Sequence, residues 1–313
     1  MQETKLKDQI LEVKPFLKWA GGKKQVLGCI DYHLPNEIKD SKTIENYFEP
    51  FIGGGAVFFH LISNYNIKHA YLGDINKDLI LTYNVVKKNP KELISYLKDY
   101  SAEFIPKSKD ERKDFYYHIR YQYNKNLENF SYEDYSEDHI LRASHLIFLN
   151  KTCFNGLYRV NQKGKFNVPI GRYKNPLICD ETNLLNVSKI LKDVDINCSD
   201  YSNSEKLIDD NSFVYLDPPY LPIKENSFTT YNSESFGLKE QVELSEFCKR
   251  IDKKNAKFIL SNSDPKNEDI KNNFFEDHYN EKHFVIKRID VRRAINSDAN
   301  KRGLIKELLI YNY

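Results

Sequence analysis

The apolar positions of residues 43–51 (TIENYFEPF) read as a strand that runs into Gly53-Gly54-Gly55, after which AVFFHLISNY carries the spacing of a helix. The pattern predicts a strand, a glycine turn and a helix. A second short strand is predicted at 69–74 (HAYLGD), ending on an acidic residue and leading into the helical stretch INKDLILTYNVVKK. Two strands joined through a helix make the start of a βαβ arrangement with a parallel sheet. From Pro90 to about Phe148 the pattern changes to long, charged, tyrosine-rich helical segments such as DFYYHIRYQYNKNLENF, and this stretch is expected to be an inserted helical domain. Residues 154–176 (FNGLYRVNQKGKFNVPIGRYKNP) alternate around a polar turn at Asn161–Gly164, which predicts a β-hairpin. Short strands of the buried type follow at 195–199 (DINCS), 213–217 (FVYLD) and 257–262 (KFILSN), with helical patterns between them. FVIKRIDV and ELLIYNY are expected to close the sheet as an antiparallel pair. The fold class is therefore α/β with a mixed, mostly parallel sheet.

Composition narrows this picture only in places. With 313 residues and 40% hydrophobic content the chain can bury a core for one large domain or two modest ones. Lys and Arg number 47 against 45 Asp and Glu, a net charge of +2, so any nucleic-acid surface must come from local clustering. Such a cluster exists: Lys151, Arg159, Lys163, Lys165, Arg172 and Lys174 stand in the hairpin region with no acidic residue among them. A solvated charged loop would have the same composition, but the interleaved aromatics suit phosphate anchoring and base-edge readout. The five cysteines are odd in number and include no C-x-x-C pair, which speaks against a disulfide framework or a structural zinc site; no metal is expected. The N-terminus lacks a basic region followed by an apolar run, and no stretch approaches the roughly 18 apolar residues of a membrane span. A cytoplasmic protein is expected, with no membrane partner.

The strongest chemical signal is Asp217-Pro218-Pro219-Tyr220, directly after the apolar run FVYL. A strand stopping at a diproline turn would look the same. The functional alternative rests on a physical need. The exocyclic amino nitrogen of adenine is a poor nucleophile because its lone pair is delocalised into the ring. Asp217 can accept one amino hydrogen and the rigidly held Pro218 carbonyl the other, while the Tyr220 ring stacks on an extruded base and faces a sulfonium cation. The second signal is Phe51-Ile52-Gly53-Gly54-Gly55, with Asp74 at the end of the next strand, where an acidic side chain reaches the ribose hydroxyls of an adenosine. The glycines form neither a G-x-G-x-x-G nor a G-x-x-x-x-G-K-[ST] motif, so hydride transfer and phosphate hydrolysis fall behind a nucleoside cofactor lacking phosphates. The third, Phe16-Leu17-Lys18-Trp19-Ala20-Gly21-Gly22-Lys23, holds the single tryptophan; it fits a core residue beside a turn as well as an approach to an anionic group.

Together PFLKWAGGK, FEPFIGGGAVFF, LGDIN, the 154–176 segment, VYLDPPY and ELLIYNY resemble the Dam-type adenine-N6 DNA methyltransferases, the D12 class in the alpha group of amino-methyltransferases. The resemblance runs from about Lys14 to Tyr313. It implies a Rossmann-like S-adenosylmethionine-dependent catalytic domain at 1–76 and 180–313 and a mainly helical target-recognition domain, with the hairpin, at 77–179. It further implies that Trp19, Ala20, Gly21, Lys23, Phe51, Gly53, Asp74, Asp200, Tyr201 and Asp217 bind S-adenosylmethionine. Lys18, Phe154, Asn155, Leu157, Arg159, Pro169, Arg172 and Tyr173 occupy the positions that read double-stranded DNA, in the family the palindrome GATC. Phe154 stands where a tyrosine is expected, which removes a hydroxyl and keeps the stacking face. Arg159 suits guanine O6 and N7 in the major groove. A monomer is implied, with any cognate restriction endonuclease acting separately.

Other outcomes stay open at this point: methylation of cytosine N4, an RNA base or a protein amide, and a duplex-binding protein that keeps the fold without catalysis. The polar segment 221–237 is either a surface loop or a flap that closes over DNA or cofactor. Arg292, Arg293 and Arg302 are candidates for further phosphate contacts.

Overall fold

The computed structural model describes residues 12–125, 127–220, 236–292 and 303–313. Its strands are β1 (Thr43–Glu49), β2 (Asn66–Asp74), β3 (Asp195–Cys198), β4 (Ser212–Leu216), β5 (Lys257–Ser263), β6 (Val285–Arg292) and β7 (Leu304–Tyr311). The helices are α1 (Leu27–Tyr32), α2 (Asn36–Ser41), α3 (Ala56–Asn64), α4 (Lys77–Lys88), α5 (Pro90–Phe104), α6 (Lys109–Asn124), α7 (Glu137–Thr152), α8 (Glu181–Leu191), α9 (Leu238–Asp252) and α10 (Phe274–His278). The strands form one seven-stranded sheet in the order β3-β2-β1-β4-β5-β7-β6. β1 pairs in parallel with β2 and β4, and β4 with β5, whereas β7 is antiparallel to both β5 and β6. This is the mixed, mostly parallel α/β sheet expected, including the closing pair. No helix among the described residues is long and apolar enough to cross a membrane.

The chain divides into two compact units. One comprises residues up to Gly22, Gly53–Tyr65 and Asn76–Ile196; the other comprises Lys23–Ile52, Asn66–Ile75 and Asn197–Tyr313. The second carries the sheet apart from the first two residues of β3. β4 is buried along its whole length and β5 almost so, as continuous apolar runs require when both faces are covered. Their side chains join Phe48, Leu244, Phe247, Ile251, Phe275 and Leu308 in a core. β1 stops at Glu49 because Pro50 has no N–H to continue the ladder.

The first unit is helical. α7 packs against α4, α5 and α6 and is buried on nearly all sides, its Ile140, Ala143, Leu146, Ile147, Phe148 and Leu149 in the core beside buried polar residues such as Arg142 and Asn150 that bond to neighbouring segments. α4 starts at Asn76, whose Oδ1 accepts the Leu79 N–H at 3.0 Å. α6 starts with a capping box between Ser108 and Glu111. The predicted hairpin keeps its turn, with Gly164 N–H donating to Asn161 O at 2.9 Å, but its arms are joined only by the isolated bridges Val160–Phe166 and Cys153–Ile170. Side chains of α6 replace a strand as the partner. Asn124 bonds both the N–H and the C=O of Phe166, and Tyr116 and Arg120 donate to the Val168 carbonyl.

Candidate active site

In sheets of this type ligands settle beyond the carboxyl ends of parallel strands where the strand order reverses, here between β1 and β4. Phe51 lies just past β1, Asp74 ends β2 and Asp217 follows β4. Lys23, only 4% exposed, sends Nζ to Asp217 Oδ1 at 2.7 Å. Burial pushes the Asp217 carboxyl up, Lys23 pulls it back in part, and Glu307 adds to the rise. The same Lys23 ammonium sits 4.7 Å over the Tyr220 ring, whose hydroxyl donates to Glu307 Oε2 at 3.1 Å. Burial, Asp217 and Glu307 push that hydroxyl well above the ordinary tyrosine range, so it stays a donor. The diproline is held from below: Gln241 Nε2 donates to Pro219 O at 2.9 Å, and Asn262 Nδ2 donates to Gln241 Oε1 at 3.1 Å. Tyr201 stacks on Phe51 with centroids 5.2 Å apart and planes at 28°. Asp200 caps the turn that carries Tyr201, accepting the Ser202 N–H at 2.9 Å.

In the helical unit Trp19 is half-buried and packs on the glycine turn. A Cβ at Gly53 would stand 2.8 Å from Trp19 Cδ1, and Gly53 (φ 47°) and Gly55 (φ 70°) adopt left-handed backbone that other residues resist. Tyr83 donates to the Gly53 carbonyl at 3.2 Å. Ala20 and Gly21 form an exposed turn next to Trp19. Asn150 clamps two separate segments: Oδ1 accepts the Lys18 N–H at 2.8 Å, and Nδ2 donates to Lys18 O and Gly156 O at 2.8 and 3.0 Å. Lys18 Nζ lies 4.2 Å over the Tyr173 ring, and the Phe154 N–H donates to Pro169 O at 2.9 Å. Lys18, Phe154, Pro169 and Tyr173 are thus gathered, with the Phe154 ring half exposed beside Asn155, which takes φ 55°. Arg159 is tied back, its Nε donating to Asn167 Oδ1 at 2.6 Å. Leu157 is half-buried and Arg172 is exposed.

Residues 19–295 match the family described as D12 class N6 adenine-specific DNA methyltransferase. The chain belongs to this family. The methyltransferase is 48% identical over 305 residues to the Type II methyltransferase M.MjaIII of Methanocaldococcus jannaschii, covering 97% of this chain and 100% of that protein. It is 35% identical over 307 residues to the Type II methyltransferase M1.LlaDCHI of Lactococcus lactis subsp. cremoris, covering 97% and 96%. Against the DNA adenine methylase of Escherichia coli K12 the identity is 34% over 297 residues, covering 95% and 94%.

Methyltransferases of this family use S-adenosylmethionine, and the chemistry around the strand ends of this methyltransferase fits such a donor. A carboxylate at Asp74 suits ribose hydroxyls and the Phe51 and Tyr201 rings suit a purine. Three positioning groups escaped the sequence. Glu307 stands in ELLIYNY, a motif singled out for its match and not for its carboxylate; Gln241 and Asn262 are buried polar residues in apolar surroundings, which is the signal that marks them. Segment 221–235, Arg293, Arg302 and the Arg292 side chain lie outside the described residues.

Proposed function

We propose that this methyltransferase transfers a methyl group from S-adenosylmethionine to N6 of an adenine rotated out of duplex DNA, within GATC, acting as a monomer with any cognate nuclease separate. What supports this most is the Asp217-Pro218 corner at the end of β4, with the carboxylate paired to Lys23 at 2.7 Å. The donor, when bound, supplies an electrophilic methyl group. The chain's own residues prepare the nucleophile. Lys23 holds Oδ1 of Asp217 and favours its ionised form against burial, and the other oxygen accepts one amino hydrogen. The Pro218 carbonyl accepts the second, which draws the nitrogen out of conjugation and gives it a usable lone pair. Tyr220, fixed by Glu307, offers its face to the extruded base. For the donor the proposed contacts are Phe51, Asp74, Asp200, Tyr201 and, by family resemblance, Trp19, Ala20, Gly21, Lys23 and Gly53. For the duplex they are Lys18, Phe154, Asn155, Leu157, Arg159, Pro169, Arg172 and Tyr173, in a recognition domain spanning 77–179.

The test is methylation of short duplexes with isotopically labelled donor, followed by mass spectrometry of the released nucleosides. N6-methyladenine from GATC duplexes, absent when the site is altered, is the expected product. Asp217→Ala should abolish transfer and leave duplex binding largely intact. N4-methylcytosine as the product, or near-normal rates in that variant, overturns the proposal.

A further inference from the structure

Asp78 in the first turn of α4 is buried and belongs to none of the motifs assigned above. Arg142 of α7 grips it with both ends of its fork, Nε to Oδ1 at 2.6 Å and Nη2 to Oδ2 at 2.9 Å. Three phenols converge on the same carboxylate: Tyr123 at 2.7 Å, Tyr132 at 2.8 Å and Tyr158 at 3.3 Å. The guanidinium is itself covered by the rings of Tyr123 and Phe130, 4.3 and 4.7 Å from their centroids, and Nη1 donates to the Tyr123 carbonyl. Burial would raise the Asp78 carboxyl, but Arg142 and the phenols outweigh it and hold the group below its ordinary value. A fully bonded buried ion pair of this kind is a rigid fixture, because losing any one partner leaves a charge or dipole unpaired in a dry environment.

Tyr158 is the member of this set that reaches outward. It stands between Leu157 and Arg159 in the segment proposed to read the duplex, its hydroxyl is on Asp78, and its ring stacks on the Trp19 indole, with centroids 5.2 Å apart and planes at 20°. The indole in turn packs on Gly53 and Gly54. All of these residues belong to the helical unit.

We propose that Tyr158 is a positioning residue that sets the Trp19 indole from the duplex-reading segment, with the Asp78–Arg142 pair as its anchor. The hydroxyl fixes the ring, and the ring face fixes the indole. This rests on the assignments of Trp19 to the donor and of the 154–176 segment to DNA. Given those, the two ligands bias one shared side-chain stack, so each changes the affinity for the other by the same factor.

Trp19 is the only tryptophan in the chain, so intrinsic tryptophan fluorescence of the full-length protein reports this stack alone. S-adenosylmethionine and a GATC duplex, titrated separately and together, should each change Trp19 emission. The donor's dissociation constant should change by at least about fivefold when duplex is present. Tyr158→Leu should erase that factor and raise the donor KM more than it lowers kcat, whereas Tyr158→Phe, which keeps the ring but gives up its hold on Asp78, should retain only part of it. Duplex alone leaving Trp19 emission unchanged overturns the proposal without recourse to any variant. So does a Tyr158→Leu protein with the full factor, or equal losses in Leu and Phe variants accompanied by a lowered melting temperature. If the donor leaves Trp19 emission unchanged in the unaltered protein, it is the donor assignment of Trp19 that falls, and the proposal with it. If the donor does perturb Trp19 but Tyr158→Leu behaves as the parent, the donor assignment stands and the positioning role alone is wrong.

Discussion

In the proposed mechanism Asp217 does two things that pull against each other. Burial favours its neutral form, while accepting an amino hydrogen requires the carboxylate, and Lys23 at 2.7 Å arbitrates between them. Because the folded-state pKa lies above the ordinary carboxylate value, the folded chain holds this proton at a pH where the unfolded chain has released it. Stability from this group therefore falls as the pH rises through that interval, and activity falls as the pH drops through the raised value. Lys23→Met removes the main influence lowering the pKa. The acid limb of the kcat/KM profile should then move to higher pH, and folding stability at neutral pH should fall by about 3–5 kcal/mol, the usual consequence of leaving one charge of a buried pair alone. A pH–rate profile with its acid limb unmoved, or moved downward, would show that Lys23 is not what keeps Asp217 ionised. Asp217 and its diproline stood out in the sequence as a motif directly after an apolar strand, and the structure puts them at the end of β4. Lys23 was singled out beside a glycine turn and, by resemblance, for the donor, but its pairing with Asp217, a residue 194 positions away along the chain (217 − 23), is a tertiary fact that the sequence did not show.

At the level of elements, the sequence was most informative where a single period dominates. β4 and the first half of β5 are short apolar runs, so each declared its type and its burial together, whereas α7 buries His139, Arg142, Ser144, His145 and Asn150 and its burial was not legible from its polarity. Boundaries set by distant partners were not legible. α6 was expected to continue through the NKNLENF stretch, but it ends at Asn124, whose side chain turns to take both backbone groups of Phe166. The same bonds explain why residues 154–176 form a turn with irregular arms: α6 side chains satisfy the backbone that a second strand would otherwise pair. Asn124→Ala should accordingly cost about 1–3 kcal/mol, read by denaturant unfolding, because two buried backbone groups lose their partner. Duplex affinity should fall in parallel as the segment loosens. A variant with parental stability would mean that water or a regular strand pairing replaces Asn124 without loss.

For the molecule as a whole, near-neutrality makes the placement of charge matter more than its amount. With a net charge of +2 there is no general attraction to a polyanion, so long-range steering toward DNA has to come from local clustering, and the acid-free stretch 151–174 is the cluster proposed for it. Within it Arg159 is bound to Asn167, and Tyr173 lies under the ammonium of Lys18 from another segment, arrangements suited to recognition at close range. Lys163 and Lys165 are instead exposed at the hairpin turn, where an ammonium can track a phosphate but has no fixed geometry with which to read a base. Their contribution should be electrostatic and sequence-independent. Replacing both by Ala should lower the slope of log affinity against log salt by about 0.9 for each phosphate no longer neutralised, weakening GATC and unrelated duplexes alike. The ratio of the two affinities should be nearly unchanged. Binding isotherms between low and moderate salt measure both quantities at once. A double variant with the parental slope would place the steering charge elsewhere, and one that lost only the preference for GATC would make these lysines readers of sequence.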